Sequence, residues 1–156
     1  MVNTGNGRLF VCVSKLVVGF SSTDPTVVTA TYPQFSGASV IQVDAFTNSV
    51  TGVVPPSEVS TNSGSNPAVS SGKICVTGGH FLFGVVANGN VSSFIVDSPP
   101  WTPLGSNSVG SGAGKRTLTT SYQHVFGACP VGQYELTGHL TGSGFWQAAI
   151  VGLAHT

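Results

Sequence analysis

The chain has 156 residues and ten fixed charges, five Lys+Arg against five Asp+Glu, or 6% where an ordinary soluble domain carries about 25%. With zero net charge and no basic run, a nucleic-acid groove is excluded, because phosphate binding needs clustered Lys and Arg. Gly, Ser, Thr and Val make up 80 of the 156 residues, which leaves no Ala/Glu/Lys/Leu-rich segment for a coiled coil or helical bundle.

Short strands dominate the pattern. In chain order they are Leu9–Val18, Thr26–Tyr32, Ser39–Phe46, Ser49–Val54, Lys73–Thr77, His80–Val86, Val91–Val96, Thr117–Phe126, Gln133–Leu140 and Phe145–Leu153. Arg8–Phe20 imitates a signal peptide, but Lys15 in its middle and the lack of a small-residue cleavage site make it a strand. Met1-Val-Asn-Thr-Gly reads as an initiator placed on an excised domain. Ile41-Gln42-Val43-Asp44-Ala45 has the clearest alternation, with apolar and polar side chains on opposite faces. The sharpest turn signal is Asn88-Gly89, which accepts positive φ at both central positions and predicts a hairpin between FLFGVV and VSSFIV. Pro55–Gly72 and Asp97–Arg116 are polar and rich in turn formers, and read as long loops, with Gly105–Gly114 resembling a flexible linker. Strands at this spacing, without βα alternation, predict one all-β domain over residues 1–156: an antiparallel β-sandwich or jelly roll with long polar loops.

Motifs that carry chemistry are scarce. Gly110–Thr117 (GSGAGKRT) fails as a phosphate loop, since Val109 stands where Gly is needed, Arg116 where Ser or Thr is needed, and a strand follows. His80, His124, His139 and His155 lack ligand spacing, so no metal or other cofactor is expected; His124 and His139 read as half-buried strand residues. Five scattered carboxylates and no GxSxG elbow argue against an enzyme. Cys12, Cys75 and Cys129 form no CxxC pair; one disulfide is open to them by any of three pairings, and three buried thiols is the simpler reading. Asn90-Val91-Ser92 is an N-glycosylation sequon, which matters only in a secretory pathway. No run reaches the roughly 18 apolar residues of a membrane helix, so membrane insertion is not expected.

Trp101 stands between prolines in the longest polar segment, where an exposed ring would provide a stacking surface for sugars or a protein anchor. Trp101, Asn107, Lys115 and Arg116 are therefore the candidate receptor or glycan contacts. Few charges, abundant Gly/Ser/Thr/Val and strands joined by polar loops together resemble the protruding domains of non-enveloped RNA-virus capsids. Gly132-Gln133-Tyr134-Glu135-Leu136 is also similar to a strand of the trimeric jelly rolls of the complement-C1q and tumour-necrosis-factor type. The capsid resemblance implies a domain on the virion surface that self-associates as a dimer or trimer, attaches to a host receptor or glycan, and catalyses nothing. A secreted carbohydrate-binding module is the alternative, and a small hydrolase a more distant one.

Overall fold

The computed structural model describes residues 2–4, 7–13, 29, 31, 37–44, 46, 58–76, 80–90, 92–97, 101–126 and 134–154. Ten strands are seen there: β1 (Val2–Thr4), β2 (Gly7–Leu9), β3 (Val59–Gly64), β4 (Ala68–Ile74), β5 (His80–Gly89), β6 (Phe94–Val96), β7 (Thr102–Val109), β8 (Arg116–Val125), β9 (Tyr134–Leu140) and β10 (Trp146–Ala154). A 3-10 turn, Gly112–Gly114, precedes β8. The fold is an all-β antiparallel sandwich, as the strand pattern implies. No helix among the described residues is long and apolar enough to cross a membrane.

One sheet has the order β3-β10-β5-β8-β7 and the other β4-β9-β6, while β1 and β2 form a separate ribbon. The pairings are nested: β5 pairs with β8, β4 with β9 and β3 with β10, each antiparallel and each enclosing the last. β7 breaks the nesting, since it pairs with β8 rather than with β6.

Burial explains which sequences became central strands. Leu82 and Val86 of β5 and Trp146, Ala148 and Ile150 of β10 point into the space between the sheets, where they meet Val69, Ile74, Val76, Trp101, Leu136 and Leu140. The opposite side of the same sheet is also covered. Val85, Leu118 and Ala149 pack with Leu9, Val11 and Val40, and Phe81 and Val151 pack with Phe46 and Tyr122. A strand buried on both sides loses the polar half of its alternation, hence the nearly unbroken apolar runs HFLFGVVA and AAIVGLA. Phe81 stacks on Tyr122 with centroids 5.2 Å apart and meets Phe46 at 4.2 Å.

Several expectations are corrected. Asn88-Gly89 is not a hairpin turn: both residues lie inside β5, the positive φ (65°) falls on Asn90, and the chain crosses to the other sheet, where β6 pairs with β9. Asn88 is buried and donates from Nδ2 to the Ser92 carbonyl at 2.7 Å, bridging that crossing. The segments read as loops, Pro55–Gly72 and Asp97–Arg116, contain β3, the start of β4, and β7. Residues 105–109, which resembled a linker, are strand paired with β8. Ile41–Asp44 is no strand, and its alternation is inverted: Ile41 and Val43 face solvent, while Gln42 and Asp44 are half-buried. Gln42 turns inward because its amide bridges Asp44 Oδ1 and Asn107 Nδ2. The three-buried-thiol reading also fails, since Cys75 is disulfide-bonded and Cys12 is free and exposed. Cys129, His155, the strand expected at Ser49–Val54 and most of Thr26–Tyr32 lie outside the described residues.

Candidate binding surface

The register of the large sheet brings four connections to one end of the molecule. Gly64, Trp146, Asn88, Gly89, Arg116 and Val109 close that end strand by strand. Beyond them lie residues 65–67, 90, 92–93, 110–115 and 141–145, composed mostly of Ser, Gly, Asn, Thr and Pro. Small polar side chains alone would leave such loops loose. Here backbone hydrogen bonds tie three of them to their surroundings: Leu140 N to Pro67 O at 2.9 Å, Thr141 N to Ser93 O at 2.9 Å and Gly89 N to Phe145 O at 3.1 Å, while 110–115 is closed on itself by Gly114 N to Ser111 O at 3.1 Å. Ser93 N donates in return to Thr141 Oγ1 at 3.0 Å.

Two aromatic rings anchor the platform from beneath. The Trp146 indole donates to the Asn66 carbonyl at 2.9 Å, fixing the β3–β4 turn over a buried ring. A Cβ on Gly64 would stand 2.6 Å from that ring, so glycine is required for the close approach. Arg116 lies over the Phe145 ring at 5.1 Å, and its guanidinium donates to the carbonyls of Ala113 and Lys115. Through Nη1 it orders residues 113–115. Beside Trp146 a depression of about 420 Å³ is lined by Asn62, Ser63, Gly64, Asn66 and Ser70, among others. Its walls offer amides, hydroxyls and backbone groups without a fixed charge.

The expected contact residues separate. Lys115 and Arg116 sit at the loop end, toward the opposite edge of the sheet from the depression; Lys115 is the one charged residue within the four connections and Arg116 opens β8. Asn107 lies on β7 and bonds to Gln42, so it braces the 37–44 segment. Trp101 is corrected outright. It is 8% exposed, belongs to the core between the sheets, and donates its indole N–H to the Glu135 carbonyl at 3.1 Å. Gly84 leaves the room for it, since a Cβ there would stand 3.0 Å from the ring. The depression residues Asn62, Ser63 and Asn66 were missed because they fall in a segment whose polarity reads as loop. Trp146, two residues after Gly144 and opening an apolar strand, is the legible signal.

Two His–acid pairs stand elsewhere. His80 Nε2 lies 3.2 Å from Glu58 Oε1 with both side chains buried. His139, exposed rather than half-buried, pairs with Asp97 on the open side of the β4-β9-β6 sheet. A catalytic triad further requires a nucleophile on the free ring nitrogen. Ser70, on the same side of that sheet, donates to Glu135. Among the described residues no three His, Cys, Asp or Glu side chains are grouped to hold a metal ion.

No protein-family model, curated protein or solved structure matches this chain.

Proposed function

We propose that the chain is a recognition domain of the virion surface, a protruding domain of a non-enveloped virus capsid that attaches to a host receptor or glycan and performs no chemistry. The observation that carries this reading is the nested strand pairing. Rolling up one long antiparallel hairpin yields that order and gives the jelly-roll architecture of viral capsid and lectin domains. The departure is β7, which has moved from β6 to the edge of the larger sheet.

Three further features support it. The loop end is a cross-tied platform of small polar residues, on which side chains can vary without disturbing the strands below. The disulfide at Cys75 suits an oxidising exterior, and virion surfaces are among the places where disulfides persist. A nearly uncharged chain limits repulsion when many copies crowd one particle.

The depression beside Trp146 also favours the second reading, a secreted carbohydrate-binding module, because its hydroxyls and amides match a neutral sugar. Both readings place recognition at the same end, and a symmetric oligomer favours the virion setting. Glycan-array and cell binding should therefore fall at least about tenfold in Asn62→Ala/Asn66→Ala. Stability should stay within about 0.5 kcal/mol, as for exposed positions generally. A neutral ligand would bind equally well at low and physiological salt. Binding that survives changes in all four connections, or turnover of the bound glycan, would overturn the reading.

A further inference from the structure

A strand at the edge of a sheet exposes unpaired N–H and C=O groups, and proteins blunt such edges with prolines, bulges, charges or short strands. Among the described strands of the two sheets, three edges are managed in this way. β6 has three residues. β4 carries a bulge between Ser70 and Lys73, with Gly72 at φ +75°. β3 lies against β4 at the corner where the two sheets meet. β7 is managed only in its first half, by Pro103 and the irregularity between Pro103 and Gly105. From Gly105 to Val109 it runs in regular register with β8 on one side and with no described strand on the other. Ser106, Asn107, Ser108 and Val109 are all exposed, and no residue of β7 is charged. Gln42 reaches Asn107 from the side of the sheet that carries Leu118, so among the described residues no backbone lies along the edge itself.

We propose that Gly105–Val109 seats a symmetric dimer, in which this strand pairs antiparallel with the same strand of a second copy to make one continuous sheet. An antiparallel pairing of identical strands is self-complementary about a two-fold axis. Small Ser and Asn side chains supply no code for a foreign peptide, whereas the zero net charge lets two copies approach without repulsion. With one open edge per copy among the described strands of the two sheets, pairing stops at two and does not propagate into a fibre. The inference stands on the edges alone and is independent of what the loop end binds.

With the axis at Asn107, Ser106 faces Ser108 of the second copy on each side. Size-exclusion chromatography with light scattering on the full chain should give a two-chain mass. Ser106→Lys/Ser108→Lys sets like charges opposite each other twice and should raise the dimer dissociation constant at least about tenfold. Ser106→Lys/Ser108→Glu sets opposite charges there and should restore the dimer. Both variants lose the Ser106–Thr119 hydroxyl contact, so that loss cancels in the comparison. A monomer at every concentration, a Lys/Lys variant as tight as the parent, a Lys/Glu variant as weak as Lys/Lys, or an assembly larger than two would each overturn the proposal.

Discussion

Trp101 shows how a single ring can be misplaced by its neighbours in sequence. Flanked by Pro100 and Pro103 in a polar stretch, it looks like an exposed platform, yet the strand pairing carries it between the sheets and over Gly84. What the sequence lacks is any local mark of Gly84 as a socket, because the two are brought together only by the register of β5, β8 and β7. Trp101→Ala removes a buried aromatic and leaves the Glu135 carbonyl without its donor. The expected loss is about 3–5 kcal/mol in chemical denaturation. Undiminished stability would show that the ring is not core. Lys115 and Arg116, by contrast, were legible as loop-end residues, and the structure adds that both are half-buried and that Arg116 braces the turn through the Lys115 carbonyl.

At the scale of elements, legibility followed burial. β5, β8, β9 and β10 begin and end within about three residues of the expected strands, because each presses an apolar side on a core and so carries a periodic signal. β3 and β7 were invisible for the opposite reason. As largely exposed edge strands of Ser, Asn, Thr and Gly, they keep no apolar side. The Asn88-Gly89 signal was genuine turn chemistry displaced: Asn90 takes the left-handed backbone, and the chain changes sheets instead of turning back. Within β9, Gly138 is required by packing. It sits between β4 and β6, opposite Val69 and Val96, and a Cβ would overlap the Phe94 ring and the Ile95 carbonyl. Gly138→Ala should cost about 1–3 kcal/mol by overpacking. Gly114→Ala, where a Cβ meets nothing within 4 Å, should be neutral or slightly stabilising, by up to about 1 kcal/mol. Equal Tm values for the two variants would refute this packing account.

For the whole molecule the nested order matters more than any contact. Each pairing from β5·β8 outward joins segments more distant in sequence, and Gly64 meets Trp146 only when the outermost pair closes. Contacts of that kind demand loop closure before they return any stabilisation, so refolding should take milliseconds to seconds or longer by stopped-flow fluorescence. Microsecond refolding would contradict the nested topology. The fold class was readable because strand periodicity is local, whereas the order was not, because any strand can pair with any other of matching length.

β10 is an interior strand of its sheet, yet it follows both of its neighbours, β3 and β5, by a long stretch of chain. β5, apolar on both sides, leaves the ribosome on the order of 65 residues before its neighbour β10 is complete. At about 5–20 residues per second that interval lasts roughly 3–13 s. Until β8 is complete, on the order of 36 residues into that interval, this ten-residue apolar strand has no sheet partner from its own chain, and after that its β10 side stays open. Nascent copies on one message would meet each other in that window, so the yield of native protein in a cell should depend on holding chaperones and on translation speed as much as on final stability.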